Sequence, residues 1–333
     1  MNLKVGLLGG GSWGTTVASL VARNTAAKLW ARNIDTVNEI NEQHSNTKYL
    51  PGAKLTKSLA ACDTIEETVR DADVVVMGIP AQNFRHVLDE AKQYIRPWVP
   101  IVSLSKGLEK GTLLRMTEII ESVMPGHPAG VLTGPNLARE IIAGQAAASV
   151  IATVDDNISV ALQKIFSTGL FRVYTNEDVV GCELGGALKN IVAIAAGMGD
   201  GMGAGDNTRA AVITRGLAEL TRLGTAIGGR RRTFAGLAGM GDLVATCNST
   251  QSRNRHVGFQ LGQGRALEDI IKEMSMVAEG VKSAPVVMEL AAKYDIEMPI
   301  SYEVNRVVNG EAGAQEAFRG LLRTESKSES DPG

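Results

Sequence analysis

The stretch KVGLLGGGSWG, residues 4–14, decides how the first half of the chain folds. A short apolar strand pattern is followed at once by Gly9, Gly11 and Gly14, which have the spacing G-x-G-x-x-G. This succession predicts a strand, a tight turn and a helix, the arrangement that binds a dinucleotide. Gly9 permits the turn, Gly11 lets the backbone approach a pyrophosphate, and Gly14 lets helix and strand pack closely. The helix N-terminus then presents N–H groups to the phosphates.

The rest of the first half alternates short β-branched runs with helical patterns. This alternation predicts parallel βαβ units with helices on both faces of the sheet. The predicted strands are KVGLL from Lys4, AKLWA from Ala27, DVVVMGI from Asp73, VPIVSLS from Val99, GVLTG from Gly130 and AASVIAT from Ala147. We therefore expect an α/β domain with a Rossmann-type, doubly wound and mostly parallel sheet over residues 1–178.

From Val179 onward the pattern is helical only, which predicts an all-helical second domain over residues 179–323. The polar tail at residues 324–333 has no apolar anchors and is expected to be disordered. A second glycine-rich stretch, GMGDGMGAGDN from Gly197, follows a helix pattern rather than a strand. It is therefore interpreted as a flexible connection between two helices and not as a second phosphate-binding turn.

Length, charge and composition limit the classes of protein to which the chain can belong. A length of 333 residues favours two domains, and a net charge of −2 gives no reason to expect nucleic acid or an anionic membrane as partner. The three cysteines lack the spacing of a zinc site or a disulfide framework, and no cluster of metal ligands is apparent. No secretion signal and no run of about 18 apolar residues is present, so we expect a cytoplasmic protein without a membrane span.

Arg32 bears on the choice of dinucleotide. An acidic residue about 20 positions after the glycine turn binds the ribose of NAD, but LWARN places Arg32 just past the second strand. An arginine there accepts a 2′-phosphate, which favours NADP(H) and leaves NAD(H) open. The alternative is an ordinary solvated loop residue.

Lys189 and Asn190 stand in the middle of GCELGGALKNIVAIAAGM, an apolar helix pattern that starts at Gly181. Hydride transfer to a carbonyl needs a proton donor, and a lysine in an apolar setting is suited to acid–base work. Lys189 is therefore the predicted catalytic residue, against the alternative of a lysine that extends to solvent. Glu183 lies seven residues before Asn190 on nearly the same face, either as a partner or as a rim residue.

Three other segments suit a small anionic substrate. Lys106 follows the carboxyl end of a predicted strand, the edge at which open α/β sheets bind ligands. Asp242 stands in a glycine turn and is placed to orient a lysine. The polar turn TQSRNRHVG contains Ser252, Arg253 and Asn254, of which Arg253 can bind phosphate through two hydrogen bonds. Each segment, taken alone, also fits ordinary loop chemistry.

With these residues in place, the chain resembles the bacterial NAD(P)-dependent sn-glycerol-3-phosphate dehydrogenases. The resemblance extends from the glycine turn to about Arg323. It rests on the motifs GSWGT, SKGLE, GPNLARE, LGGALKNIVAIAAGM, TRGLAE, GMGDL, QSRNR and VAEG, in that order.

The resemblance implies roles for the matching positions. Lys189 matches the family's proton acceptor, with Lys106 and Asp242 beside it in the reaction. Cofactor contacts are implied for Ser12, Trp13, Arg32, Lys106, Ala138, Arg253, Val277 and Glu279. Substrate contacts are implied for Lys106, Gly134, Asn136, Asn190, Asp242, Ser252, Arg253 and Asn254. The family usually has Ser or Thr where this chain has Asn136.

The implied reaction transfers a hydride between NAD(P)H and dihydroxyacetone phosphate to give sn-glycerol 3-phosphate for glycerophospholipid synthesis. The family expectation for assembly is a homodimer. Two alternatives stay open at this point: a dehydrogenase of the 3-hydroxyacid or 6-phosphogluconate type, and a non-catalytic NADP(H)-binding sensor.

Overall fold

A single sheet of eight strands lies in the first half of the chain. The computed structural model describes residues 3–274 and 278–322. The strands are β1 Lys4–Leu8, β2 Ala26–Trp30, β3 Ala60–Cys62, β4 Val74–Met77, β5 Ile101–Ser103, β6 Ala129–Thr133, β7 Ala147–Thr153 and β8 Phe171–Asn176. Their order is β3-β2-β1-β4-β5-β6-β7-β8, so the chain leaves the sheet centre first to one side and then to the other. This is the order of a doubly wound dinucleotide-binding sheet.

Helices cover both faces of the sheet. They are α1 Ser12–Val21, α2 Ile34–Gln43, α3 Ile65–Val69, α4 Ala81–Ala91, α5 Met116–Val123, α6 Ala138–Ile142 and α7 Asp156–Phe166. One apolar cluster joins α1, α2, α6 and α7 to one face. A second cluster joins α3, α4 and α5 to the other face. Because both faces are covered, the central strands β1 and β4 are nearly uninterrupted apolar runs.

One strand pair departs from the parallel pattern. β6 and β7 are antiparallel, with Thr133 opposite Val150, while the other neighbouring pairs run parallel. The predicted Rossmann-type, mostly parallel sheet is confirmed. The sequence analysis missed β3 and β8, which are the two edge strands. β3 has only three residues, and β8 exposes alternate side chains, so neither shows the continuous apolar run of a central strand.

The second half of the chain is helical throughout its described residues, as predicted. Its helices are α8 Val179–Gly201, α9 Asp206–Ala226, α10 Arg231–Phe234, α11 Asp242–Asn248, α12 Arg253–Gly262, α13 Leu267–Glu273, α14 Glu279–Lys293, α15 Pro299–Val308 and α16 Ala314–Leu322. By length and composition α8 could cross a membrane, but 94% of its most apolar window is buried inside the protein. It is the central helix of the helical core.

The chain divides into two compact units. The first contains residues up to Ser105 and Leu114–Val179, and the second contains Lys106–Leu113 with the residues after Val179. The sequence analysis had assigned Lys106–Leu113 to the first domain. The segment groups with the second unit because Leu108 is buried in the helical core and Lys106 forms an ion pair with Asp242. The predicted disordered tail at residues 324–333 lies outside the described residues.

The interpretation of the second glycine-rich stretch was only partly right. Residues 197–201 form the last turns of α8, and only residues 202–205 connect α8 to α9. A Cβ on Gly197 or Gly201 would collide with the backbone of α12, at Arg255 and Phe259 respectively. These glycines therefore allow two helices to pack closely and do not provide flexibility.

A buried carboxylate on α9 holds the start of α15. Glu219 is only 3% exposed, and it accepts hydrogen bonds from the backbone N–H of Ile300 (2.6 Å) and of Ser301 (3.2 Å). The Ser301 hydroxyl donates a third bond, of 3.0 Å. Glu219 thereby caps a helix that is distant in sequence, since the first N–H groups of a helix lack partners within it.

Glu219→Ala should lower the free energy of unfolding by about 1.5–3 kcal/mol, because two buried N–H groups lose a charged acceptor. Urea unfolding monitored by circular dichroism measures the difference. Glu219→Gln keeps one oxygen acceptor and should lose less. Equal stability of the wild type and the Ala variant would contradict the capping role.

Candidate functional site

The glycine turn has the geometry that a bound pyrophosphate requires. Gly9 directly follows β1 and has φ of +121°, a conformation that side chains disfavour. A Cβ on Gly14 would collide with the carbonyl oxygen of Gly9, so only glycine lets α1 start this close to the strand. A Cβ on Gly11 would meet no atom within 4 Å, which leaves open space beside the backbone there.

The start of α1 is prepared for an anion. Gly11 occupies the N-cap position without a side-chain cap, so the N–H groups at Ser12 and Trp13 and the positive end of the helix dipole can serve a ligand. The indole ring of Trp13 packs edge-on against Phe171, with ring centroids 6.2 Å apart. Its Nε1 atom is buried without a hydrogen-bond partner. A buried donor without a partner fits a bound acceptor, and the residues present therefore fit a dinucleotide.

Arg32 lies at the same edge of the sheet. Leu8 and Trp30, the last residues of β1 and β2, are paired in the sheet, and Arg32 follows two residues after β2. Its side chain is exposed, and Asn33 caps the following helix. Its role toward a 2′-phosphate on the ribose of the cofactor stays a prediction from the sequence.

The segment between β6 and α6 carries three more predicted residues. Gly134 has φ of +136°, and a Cβ there would lie 3.1 Å from the Cα atom of Ser149. Both amide atoms of Asn136 are buried without a hydrogen-bond partner. The hydroxyl of Thr16 on α1 is 3.5 Å from the carbonyl oxygen of Ala138, so this segment packs beside the start of α1. Asn136 therefore offers both a donor and an acceptor to a ligand.

In the second unit, the buried lysine on α8 has a carboxylate partner. Lys189 is 6% exposed and donates a hydrogen bond to Oδ1 of Asp242, which is 1% exposed. Gly185, one turn before Lys189, lets the backbone at Ala238 approach α8 closely, which brings α11 against the lysine. This ion pair explains how an apolar helix accommodates an ammonium group.

Lys106 binds the other oxygen of the same carboxylate, with 2.6 Å between its Nζ atom and Oδ2 of Asp242. Burial lowers the pKa of Lys106 to about 8; Asp242 opposes this shift and the nearby Lys189 ammonium adds to it. Two ammonium groups therefore share one carboxylate. The cluster of Lys106, Lys189 and Asp242 carries a net positive charge and attracts an anionic or electron-rich oxygen.

The sequence analysis missed Thr246. Its hydroxyl accepts a hydrogen bond of 2.5 Å from Lys189 Nζ and donates one of 2.6 Å to the backbone carbonyl of Asp242. The signal was available: Thr246 lies four residues after Asp242, on the same face of a helix. Threonine is common at such positions in helices, so the spacing alone did not identify Thr246 as a site residue.

A second polar group links three helices. The amide of Asn254 on α12 donates to Oδ1 of Asn190 on α8 at 2.9 Å. Its oxygen accepts from the backbone N–H of Gly280 on α14, also at 2.9 Å. Glu279, the first residue of α14, is half-buried, and burial raises the pKa of its carboxyl. The predicted cofactor residue Val277 lies outside the described residues.

Ser252 and Arg253 stand at the start of α12. The Ser252 hydroxyl caps this helix by accepting from the backbone N–H of Arg255 at 3.2 Å, which is a structural role. The side chain of Arg253 is exposed. Its charge lies close enough to that of Glu279 for each to act on the pKa of the other. Glu183 is buried in α8.

The predicted site residues thus form two sets. The first unit holds the cofactor residues of the glycine turn, Arg32, and the segment from Gly134 to Ala138. The second unit holds the other described site residues, namely Lys106, Lys189, Asn190, Asp242, Ser252, Arg253, Asn254 and Glu279. The second set combines a proton-transfer group, a positive charge and an arginine, which suits reduction of a small phosphorylated carbonyl compound.

Comparison with known sequences agrees with this chemistry. Residues 4–159 match the family model for the N-terminus of NAD-dependent glycerol-3-phosphate dehydrogenase, and residues 178–319 match the model for its C-terminus. The chain is 62% identical over 333 residues to glycerol-3-phosphate dehydrogenase (NAD(P)+) 2 of Sphingopyxis alaskensis, covering 100% of both chains. It is 53% identical to the glycerol-3-phosphate dehydrogenase (NAD(P)+) of Mycobacterium avium, covering 96% of this chain and 94% of that one.

Among solved structures, the chain is similar to the glycerol-3-phosphate dehydrogenase of Coxiella burnetii. The TM-score is 0.92 at 36% sequence identity, with 97% of this chain and 99% of that chain covered. A ketopantoate reductase from Ralstonia eutropha shares the fold, with a TM-score of 0.61 at 15% identity over 95% of this chain and 100% of that one.

Arg32→Ala should weaken NADPH binding about tenfold and leave NADH binding nearly unchanged, because only NADPH carries a 2′-phosphate for the guanidinium. Fluorescence titration with each cofactor gives the two dissociation constants. Lys28→Ala removes an equal charge from an exposed position on β2 and should change neither constant. Equal losses for both cofactors in Arg32→Ala would rule out the assignment.

Proposed function

Because the chain belongs to the NAD-dependent glycerol-3-phosphate dehydrogenase family, we propose that it interconverts dihydroxyacetone phosphate and sn-glycerol 3-phosphate with NAD(P)(H). The observation that carries the proposal is the buried arrangement of Lys189, Asp242 and Lys106 in the second unit. The glycine turn and the start of α1 in the first unit supply the dinucleotide site that such a reaction needs.

The contacts of Lys189 leave one of its N–H groups for proton transfer. An ammonium group has three N–H donors. Asp242 and Thr246 accept two of them, which holds the lysine in one orientation and leaves the third N–H for a substrate oxygen. The hydroxyl proton of Thr246 is directed to the backbone carbonyl of Asp242, so this hydroxyl can only accept from the lysine.

In the reduction, a nicotinamide cofactor held at the glycine turn and the start of α1 would supply the hydride for C2 of dihydroxyacetone phosphate. The carbonyl oxygen gains negative charge and takes a proton from the Lys189 ammonium, which leaves a neutral amine. In the oxidation, the neutral amine accepts the hydroxyl proton. Asp242 accepts a hydrogen bond from the Lys189 side chain and so holds its nitrogen in place in both directions.

Lys106 adds a second positive charge near the developing alkoxide. Its ammonium is held by Oδ2 of Asp242 and so stays at a fixed place relative to Lys189. A fixed charge directed at the oxygen that becomes negative stabilises the transition state more than the ground state. Arg253 and Asn254 are the groups that we assign to the phosphate of the substrate, since a guanidinium can bind a phosphate through two parallel hydrogen bonds.

The wider biological assignments rest on the same proposal. sn-Glycerol 3-phosphate is the backbone from which glycerophospholipids are built, so the proposed product supplies that synthesis. The cytoplasmic location and the homodimer stay predictions from the sequence.

The direct test is to follow NADPH and NADH oxidation by the purified protein in the presence of dihydroxyacetone phosphate. Parallel assays contain a 3-keto acid and, in the oxidative direction with NADP+, 6-phosphogluconate. Turnover with dihydroxyacetone phosphate, and with neither of the other two substrates, supports the proposal. Turnover with one of the other substrates only would replace it, and cofactor binding without turnover would indicate a sensor.

Lys189→Met should lower turnover about 10²–10⁴-fold, the range of a general acid or base, with little change in NADPH binding. Stopped-flow or steady-state absorbance at the nicotinamide band measures the rate. Lys272→Met, on an exposed face of α13, is the matched control and should keep full activity. Turnover within twofold of the wild type in Lys189→Met would remove the residue from the mechanism.

The pKa of Lys106 predicts a pH dependence. Because that pKa is lowered to about 8, the side chain loses its positive charge as the pH rises through that value. The kcat/KM for reduction should therefore fall above about pH 8 in the wild type. Lys106→Arg stays charged and should shift this fall to higher pH. The test is to measure kcat/KM for the wild type and for Lys106→Arg between pH 7 and 10. If both proteins have the same pH profile, the fall belongs to another group.

A further inference from the structure

A partly buried ion cluster joins α8, α9 and α12, the first and last of which also carry site residues, but it is not part of the site. The carboxylate of Asp200, near the end of α8, is 6% exposed in its side chain. Its Oδ1 atom accepts hydrogen bonds from Nε (2.9 Å) and Nη2 (2.7 Å) of Arg209 on α9. Its Oδ2 atom accepts from Nε (2.8 Å) and Nη2 (2.6 Å) of Arg255 on α12. One carboxylate therefore holds two guanidinium groups, each by two donors.

The helix that carries Arg255 packs on α8 with almost no side-chain layer between the two. A Cβ on Gly258 would lie 2.8 Å from the carbonyl carbon of Ile194, and one on Gly262 would lie 3.0 Å from the Cα atom of Gly201. A Cβ on Gly197 would lie 2.9 Å from the backbone nitrogen of Phe259. This close approach sets the separation of the helices and limits large rotations of α12, since other side chains would collide with α8, but directional contacts are needed for a finer restraint.

Two polar contacts supply that restraint, and they lie on consecutive residues. Asn254 is held by Asn190 on α8 at 2.9 Å, and Arg255 is held by Asp200, ten residues further along α8. The residue just before them is Arg253, to which the phosphate of the substrate is assigned above. On a helix, fixing the directions of two neighbouring residues also fixes the direction of the residue before them.

We propose that Asp200 and Arg255 are positioning residues for the phosphate subsite: their ion pair fixes the rotation of α12 and thereby aims Arg253 at the phosphate. The inference rests on the proposed function. It concerns how that site recognises the phosphate of the substrate. Neither Asp200 nor Arg255 is assigned a contact with the substrate. Arg209 shares the same carboxylate but lies on α9, so it stabilises the cluster without acting on α12 directly.

The matched pair Arg255→Gln and Arg209→Gln separates positioning from stability. Each variant removes one guanidinium and leaves Asp200 with one remaining partner, so the two should lose similar thermal stability. Arg255→Gln should raise the KM for dihydroxyacetone phosphate about tenfold or more, with kcat changed less, because misplacement of a binding group by about 1 Å has effects of this size. Arg209→Gln should leave the KM within about twofold of the wild type.

Two further readouts keep the test independent of folding and of turnover. The dissociation constant for NADPH should be the same in Arg209→Gln and the wild type, since the glycine turn lies in the first unit. In Arg255→Gln it should change less than the KM for dihydroxyacetone phosphate, because Arg253 is only one of the implied cofactor contacts. Binding of inorganic phosphate, measured by isothermal titration calorimetry, should be weakened in Arg255→Gln and in Arg253→Ala and kept in Arg209→Gln. Arg255→Lys restores a charge opposite Asp200 and should recover part of the KM.

The outcomes are distinct. An equal rise in KM in Arg255→Gln and Arg209→Gln, in proportion to their loss of stability, would reduce the cluster to a structural role and overturn the inference. Unchanged phosphate binding in Arg255→Gln would do the same. If the wild type does not reduce dihydroxyacetone phosphate, the proposed function fails, and the phosphate titration still decides whether the ion pair positions Arg253.

Discussion

The shared carboxylate of Asp242 is the interaction on which the chemistry of the second unit depends. It joins three separate parts of the chain: Lys106 after β5, Lys189 in the middle of α8, and its own helix α11. An isolated ammonium group would be too costly to bury in an apolar helix, and the pair makes its burial possible. Because one negative charge faces two positive ones, the cluster retains a net positive charge, which suits the proposed reduction of a carbonyl group.

Backbone close packing allows these charges to meet. Gly185 lets the turn before α11 pack closely against α8. Close packing of α12 on α8 depends on four more glycines, namely Gly197, Gly201, Gly258 and Gly262. Glycine at such positions is destabilising for an isolated helix but removes the side-chain layer that would keep the backbones apart. The same residue type serves a different purpose in the first unit, where Gly9 has a positive φ and Gly11 leaves space for a phosphate. Glycine content alone therefore does not identify a phosphate-binding turn.

Several buried polar groups of the second unit are paired with groups on other helices. Asn190 and Asn254 connect α8, α12 and the start of α14, and Glu219 caps α15 from α9. Asp200 then fixes α12 through Arg255. Each of these groups lies on a helix whose apolar face is already buried, so the hydrophobic core supplies cohesion and the polar contacts select one register.

The sequence by itself determined the sheet type, the glycine turn and the helical second half, since each rests on a local pattern of apolar periodicity or glycine spacing. A local pattern also singled out Lys189 as the candidate catalytic residue. Only the tertiary structure decided which groups Lys189 contacts, that Thr246 lies beside it, that Lys106–Leu113 joins the second unit, and that Gly197–Gly201 is part of α8. It also decided the edge strands β3 and β8 and the antiparallel pairing of β7. The physical reason is that charge pairing, close backbone contact and strand direction depend on residues far apart in the chain, which no local pattern records.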